Sequence, residues 1–117
     1  MNKGKVGRKF GLKRGERQAF IKGLANNLIR KEKIETTEAR ARELRPKVEK
    51  MITTAKKQTL ASFRKLLANL NKTTAEKLYF DIAKRYTERK GGYTKITKLD
   101  KVTKRDGGKR AIIEFVK

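Results

Sequence analysis

The spacing of the apolar residues changes once along this 117-residue chain, shortly after Arg89. Before that point, apolar residues recur at the three- and four-residue intervals of amphipathic helices, whereas "YTKITKL" and "RAIIEFV" after it alternate with a period of two. The segment "KIETT", which follows the first helical stretch, is typical of a short strand. The order helix, strand, three helices, two strands predicts an α+β domain in which a small three-stranded mixed sheet packs on the helices.

Local signals predict the helix boundaries and the core. Thr37 and Thr59 precede helical stretches as N-caps, and Thr73 and Glu76 have the spacing of a capping box. The apolar stripe of the second helix keeps its register across Pro46, which predicts one kinked helix rather than two. The helical residues expected in the core are Ala19, Phe20, Leu24, Ala25 and Leu28, then Ala41, Leu44, Val48, Met51, Ile52 and Ala55, then Leu60, Phe63, Leu66, Leu67 and Leu70, and finally Leu78, Tyr79, Ile82 and Tyr86.

The charge of the chain restricts its partners. Lys and Arg number 34 against 12 Asp and Glu, which gives a net charge of +22. A compact body with this charge repels itself, so we expect a polyanion such as nucleic acid to accompany it. No apolar run is long enough to span a bilayer and no apolar segment follows the basic N-terminus, so neither a membrane partner nor a signal peptide is predicted. We also expect no homo-oligomer.

Residues 1–15, "MNKGKVGRKFGLKRG", predict a flexible basic arm, and residues 16–117 a single α+β domain. The arm contains six cations, four glycines and no acidic residue, a composition that cannot form a core without a partner. One interpretation is a solvated tail; the other, which we favour, is a peptide that moulds itself onto phosphates. Phosphate contacts are therefore expected from Lys3, Lys5, Arg8, Lys9, Lys13 and Arg14 in the arm, and from Arg17 and Lys22 in the first helix.

A second candidate RNA-binding segment is the glycine turn in "RKGGYTKI". Glycine ends helices in the left-handed conformation, which explains one of the two glycines and leaves open whether it explains both. Adjacent glycines also expose backbone N–H groups and allow a phosphate to approach closely. The tyrosine of this segment either stacks on an unpaired base or is a buried strand aromatic. The RNA contacts expected here are Arg89, Lys90, Gly91, Gly92, Tyr93, Thr94 and Lys95.

The sequence offers little to catalysis. It contains no His and no Cys, so a proton shuttle near neutral pH, a thiolate nucleophile and a zinc cluster are not expected. No phosphate-binding or dinucleotide fingerprint occurs. Several carboxylates have basic residues four positions away, as in Glu38–Arg42, Glu43–Lys47 and Asp81–Arg85, and surface pairing explains these. We therefore expect no enzyme activity, no metal and no cofactor.

Four segments resemble the bacterial large-subunit ribosomal protein L17 family: "GRKFGLKRGERQAFIKGLANNLI", "KIETTEARARELRPKVEKMITTAKK", "RKGGYTKITKL" and "AIIEFV". The resemblance covers essentially the whole chain. It implies a structural protein of the large ribosomal subunit that binds ribosomal RNA near the mouth of the peptide exit tunnel, beside neighbouring ribosomal proteins, with no enzyme activity and no cofactor. The chain departs from the family in having Asn2, Lys3 and Glu16 at the start, where the family usually has a basic residue and histidines, and "RDGGKRA" between the last strands.

These observations predict a structural constituent of the large ribosomal subunit, located in the cytoplasm in the ribosome. It would bind large-subunit ribosomal RNA by charge neutralisation and shape, and so support subunit assembly and translation. The alternative is a free-standing DNA-compacting protein, which would share the positive charge. Such proteins usually bind as symmetric dimers or insert apolar wedges into the minor groove, and the sequence shows neither a coiled-coil heptad nor a pair of wedges.

Overall fold

The computed structural model of the chain describes residues 14–102 and 109–117. The "DGG" loop and residues 1–13 of the predicted arm lie outside this part. The elements, in order, are α1 (Arg14–Lys31), β1 (Lys33–Thr37), α2 (Glu38–Lys56), α3 (Leu60–Asn69), α4 (Lys72–Lys77), a π-helical segment (Leu78–Ile82), α5 (Ala83–Arg85), β2 (Thr94–Val102) and β3 (Lys109–Phe115). This order confirms the predicted α+β class. None of the described helices is both long and apolar enough to cross a bilayer.

The sheet has the order β1-β3-β2 and is antiparallel throughout, whereas we expected a mixed sheet. Ile113, in the central strand, faces Ile34 on one side and Ile96 on the other. Strands β1 and β2 run in the same direction because both are antiparallel to β3. They do not pair with each other, because β3 lies between them. The order of the strands along the chain did not determine which strand would lie in the middle of the sheet.

Helix α2 forms the centre of the core. Its fully buried residues pack with the inward face of β3, on which Ala111, Ile113 and Phe115 alternate with half-buried residues. The helix continues through Pro46 as predicted. Its buried apolar residues are Ala41, Leu44, Val48, Ile52 and Ala55.

Two of the predicted helix starts are confirmed. The Thr37 hydroxyl accepts a hydrogen bond from the backbone N–H of Arg40 at 3.2 Å, and Thr59 forms a capping box with Ser62. The third predicted start is wrong: α4 begins at Lys72, so the predicted Thr73 capping box cannot form because that residue already lies inside the helix. The N-cap of α4 is Asn71, whose side chain makes no capping hydrogen bond.

The structure also corrects the predicted core of α1 and α3. Helix α1 buries Ile21, Ala25, Leu28 and Ile29, while Ala19 is exposed and Phe20 and Leu24 are half-buried. Helix α3 buries Leu66, and its C-cap residue Leu70 is also buried, but Leu60 and Leu67 are exposed. In both helices the apolar residues spread over a wider arc than the neighbouring helices and strands cover. The spacing of apolar residues alone therefore could not identify which side of the helix is buried.

Candidate nucleic-acid interface

A groove between α1, α2 and α3 gathers cations from all three helices. Its volume is about 650 Å³. Five cations line it, and none of the described residues that line it is a carboxylate. We call it the cationic groove, and its lining is Arg17, Gln18, Ile21 and Lys22 of α1, Lys47, Lys50, Met51 and Thr54 of α2, and Lys65, Leu66, Ala68 and Asn69 of α3.

Helical spacing brings these cations together. Lys47 and Lys50 lie three residues apart on α2 and so occupy one side of that helix. Arg17 and Lys22 lie five residues apart on α1, and both line the groove. Lys65 completes the set from α3. Helices α1 and α3 both pack against α2, and this packing brings the cations of all three helices to one groove.

The lysines of the groove are open to a ligand. Lys47, Lys50 and Lys65 are exposed, and no carboxylate in the described ranges forms an ion pair with them. Lys22 makes one long hydrogen bond, from its Nζ to the carbonyl of Ala68 at 3.5 Å. Like charges gathered in this way repel one another unless an anion lies between them, so the groove favours a polyanion.

Ion pairs elsewhere account for most of the described carboxylates. The predicted pairs Glu38–Arg42 and Asp81–Arg85 form, at 2.6 and 3.0 Å. The predicted Glu43–Lys47 pair does not, because Glu43 is buried and Lys47 faces the groove. Acidic residues are thus held away from the groove lysines and leave them available.

One cluster of ion pairs centres on Glu32, which directly follows α1 and has a φ of +67°. Arg85 donates to both of its carboxylate oxygens, at 2.6 and 3.0 Å, and the Nζ of Lys77 lies 3.0 Å from it. Hydrogen bonds from Arg85, followed by that from Lys77, lower the pKa of Glu32 to about 2. The cluster links the residue that follows α1 to α4 and α5, and so holds these helices in position relative to one another.

The glycine turn is organised around a buried tyrosine. Tyr93 is only 2% exposed, and its ring lies 5.3 Å from that of Tyr86. Of its two predicted roles, the structure therefore places it in the core, where a base could not stack on it. Thr94 is also buried, and both its N–H and its hydroxyl donate to Glu49, at 3.1 and 2.8 Å. We consequently remove these two residues from the candidate RNA contacts.

The two glycines have different roles. Gly92 has a φ of +64°, whereas Gly91 lies in an ordinary backbone region with nothing within 4 Å of the position of a Cβ atom. Neither caps the preceding helix, which already ends at Arg85. The Nε of Arg89 donates to the carbonyl oxygens of both glycines at 3.1 Å, so this cation holds the turn itself. The predicted phosphate contact at this turn stays a prediction.

The structure brings together only some of the predicted contacts. Arg17 and Lys22 lie in the cationic groove, while residues 89–95 do not line it. Within that segment Lys90 and Lys95 are exposed. The Nζ of Lys95 forms an ion pair with the Oε1 of Glu114 at 3.6 Å. Arg14 is the first residue of α1. The other predicted contacts, Lys3, Lys5, Arg8, Lys9 and Lys13, lie outside the described residues.

Sequence reasoning missed three lysines of the groove. One signal was available for two of them: Lys50 and Lys65 have no acidic residue three or four positions away on their helices. Lys47 gave no such signal, because Glu43 stands four residues before it. The meeting of the three helical faces could be seen only in the folded chain.

Comparison with known proteins adds a family. Residues 20–116 match the family model described as Ribosomal protein L17. The large ribosomal subunit protein bL17 of Staphylococcus haemolyticus is 47% identical over 120 residues, a match that covers 93% of this chain and 97% of that protein. The bL17 protein of Fusobacterium nucleatum subsp. nucleatum is 46% identical over 117 residues, covering 99% of this chain and all of its own length.

Proposed function

The chain belongs to the ribosomal protein L17 family, and from that premise we propose that its cationic groove binds large-subunit ribosomal RNA. The family makes it a protein of the large ribosomal subunit, with a structural role in the ribosome. Binding in the groove would neutralise RNA phosphates, and the protein would thereby support subunit assembly and translation. Its position near the mouth of the peptide exit tunnel is part of the same proposal.

One observation carries this proposal: five cations from three helices face one groove in which the described lining contains no carboxylate. Phosphate oxygens accept hydrogen bonds and carry negative charge, so Lys and Arg are the side chains that bind them. The groove is also lined by the buried Ile21 and Leu66 and the half-buried Met51. Apolar carbon beside five cations suits a sugar–phosphate strand, whose ribose carbons would contact these residues while its phosphates contact the cations.

A different surface is suited to the neighbouring ribosomal proteins that we propose as further partners. Leu60 on α3 is 64% exposed, and Phe80 on the π-helical segment is 56% exposed. Phe63 joins them, since its ring centroid lies 5.9 Å from that of Phe80. Phosphates offer nothing to exposed aliphatic and aromatic carbon, so we assign this face to a protein neighbour in the subunit rather than to the RNA backbone.

The proposal is tested by removing charge from the groove. The triple variant Lys47→Gln, Lys50→Gln, Lys65→Gln removes three positive charges without removing apolar core residues. A matched triple variant, Lys31→Gln, Lys57→Gln, Lys84→Gln, removes three exposed charges outside the groove. Binding to large-subunit ribosomal RNA fragments is measured for both variants from about 50 to 200 mM salt, the range in which phosphate contacts weaken strongly.

For the groove variant we expect weaker binding. Its salt slope, which is the fall in the logarithm of the binding constant per unit of log salt concentration, should be smaller by about 2–3. Each phosphate that is no longer neutralised reduces this slope by roughly 0.7–0.9. The matched variant should change the slope much less. Equal effects of the two variants would contradict the groove as the binding site and leave net charge as the explanation. Competition with random duplex DNA addresses the DNA-compacting alternative, since a DNA-compacting protein would bind the duplex as well as it binds the RNA.

A further inference from the structure

The cationic groove continues into a second recess, whose lining includes several asparagines beside Lys22 and Arg30. The two spaces share Lys22, Ala68 and Asn69. The recess lies between α1 and the connection from α3 to α4, and its volume is about 480 Å³. Four of its residues are asparagines, and none of the described residues that line it is acidic. We call it the amide recess.

One of the four asparagines has a purely structural role. The Nδ2 of Asn26 donates to the carbonyl of Lys22 at 2.9 Å, and its Oδ1 accepts from the backbone N–H of Asn71 at 3.0 Å. This second hydrogen bond satisfies the backbone N–H of Asn71, the N-cap residue of α4. Asn26 thereby links α1 to α4 and has little left to offer a ligand.

The other three asparagines keep hydrogen-bonding groups free within the described part of the chain. Asn27 accepts from Arg30 at 2.8 Å through Oδ1, so its NH2 group has no partner. Asn69 donates to the carbonyl of Lys65 at 3.2 Å through Nδ2, so its Oδ1 is open. Asn71 is exposed and uses neither end of its amide. The recess therefore offers both donors and acceptors to a ligand.

That mixture points to a ligand with both kinds of group. A phosphate only accepts hydrogen bonds, so free acceptors such as the Oδ1 of Asn69 are useless to it. A ribose 2′-hydroxyl both donates and accepts, and so do the edges of unpaired bases.

We propose that the amide recess is a ribonucleotide-reading site. Asn27, Asn69 and Asn71 hydrogen-bond to the 2′-hydroxyl and base edge of one unpaired nucleotide, while the adjoining backbone of the same RNA strand lies in the cationic groove. Lys22, which borders both spaces, is placed to contact the phosphate between them. This inference rests on the proposed RNA-binding function and adds the discrimination between RNA and DNA that phosphate contacts lack.

The test compares ribose with deoxyribose in one binding experiment. The full chain binds a single-stranded RNA oligonucleotide and the DNA oligonucleotide of the same sequence, and the ratio of the two affinities is measured at several salt concentrations. The double variant Asn27→Ala, Asn69→Ala should lower this ratio roughly five- to tenfold, the loss expected for one or two hydrogen bonds to neutral groups. Its salt slope should stay that of the unaltered chain, because no phosphate contact is removed.

Two controls separate this inference from the function on which it rests. The groove variant at Lys47, Lys50 and Lys65 should reduce the salt slope and preserve the RNA-to-DNA ratio. Asn26→Ala should lower the melting temperature and also preserve the ratio in the folded protein, because its hydrogen bonds are internal. A folded double variant with an unchanged ratio would overturn the recess as a ribonucleotide site. An unchanged salt slope in the groove variant would instead overturn the proposed function.

Discussion

Lys56 and Tyr93 join the end of α2 to the start of β2 through two contacts at once. The Nζ of Lys56 donates to the tyrosine hydroxyl at 2.9 Å and lies 4.9 Å from the centroid of the same ring. Lys56 also donates to the carbonyl oxygen of Arg89. A cation that looks like part of a basic RNA-binding surface therefore serves the fold, since it fixes the glycine turn against α2.

We expect Tyr93→Phe to lower the free energy of unfolding by about 1 kcal/mol, because the lysine loses its hydroxyl partner while the buried ring remains. Urea unfolding followed by circular dichroism measures this change. Affinity for ribosomal RNA at a temperature where the variant is folded should not change. A variant of unaltered stability that binds RNA more weakly would mean that the hydroxyl contacts RNA instead.

The two neighbouring glycines should respond differently to the same substitution. Gly92→Ala places a Cβ atom on a residue with a φ of +64° and should cost about 1–2 kcal/mol of stability. Gly91→Ala meets no atom within 4 Å and has ordinary backbone angles, so it is the matched control and should be close to neutral. Thermal unfolding of both variants measures the difference. Equal melting temperatures would contradict the assigned turn geometry.

RNA affinity of the same pair tests the predicted phosphate contact at the turn. If backbone N–H groups there bind a phosphate, Gly91→Ala should weaken RNA binding while leaving stability unchanged. Its Cβ atom would stand on the exposed side of the turn, in the path of the approaching phosphate. A folded Gly91→Ala protein with full RNA affinity would confine the glycine turn to a structural role.

Much of the fold could be predicted because its signals are local. The strand "KIETT" coincides with β1, and the hydroxyls of Thr37 and Thr59 cap the helices that follow them. Strand pairing and the packed side of α1 could not be predicted, because they depend on elements far away in sequence. The π-helical segment Leu78–Ile82 gave no sequence signal either, although it presents Phe80 to solvent.

The candidate site was predicted less well than the fold. Charge composition identified the class of partner, and two of the groove cations, Arg17 and Lys22, were among the expected contacts. At the turn, Tyr93 lies in the core and the Nε of Arg89 donates to the glycine carbonyls, while the predicted RNA contact of Arg89 stays a prediction. Whether a cation is free depends on which carboxylates reach it in three dimensions, as Lys47 shows, and one-dimensional spacing does not contain that information.

Acidic pH should lower the free energy of unfolding, because Glu32 becomes protonated and loses its ion pairs. Its pKa is lowered from 4.5 to about 2, so its ion pairs stabilise the fold fully above about pH 4.5 and disappear as the pH falls toward 2. Glu32→Gln should therefore lower the stability at pH 7, by about 1 kcal/mol after allowance for solvent screening of this partly exposed group. The difference between variant and unaltered chain should shrink as the pH falls through 2 and vanish below it. Urea unfolding at a series of pH values measures it.

Glu88→Gln is the matched control for this experiment, because Glu88 is exposed and forms no ion pair with another described residue. It should change neither the stability nor its pH dependence appreciably. The positive φ of Glu32 is shared by the glutamine variant, so backbone strain cancels in the comparison. A Glu32→Gln protein that keeps the acid sensitivity of the unaltered chain would place that sensitivity in other carboxylates.

Deleting residues 1–13 should separate the predicted arm from the helical body. The deletion removes Lys3, Lys5, Arg8, Lys9 and Lys13 and ends where α1 begins, so we expect an unchanged helical circular dichroism spectrum. Affinity for ribosomal RNA should fall, and the salt slope should shrink by roughly 0.7–0.9 for each phosphate that the arm had neutralised.

Replacing the same five residues with Gln in the full-length chain should reproduce most of this effect, because charge carries it rather than chain length. The groove variant and the deletion should reduce the salt slope additively if they bind different phosphates, since independent sites contribute independently. A truncated chain with an unaltered slope and full incorporation into large subunits would show that the arm is only a solvated tail and that the groove carries the RNA contacts.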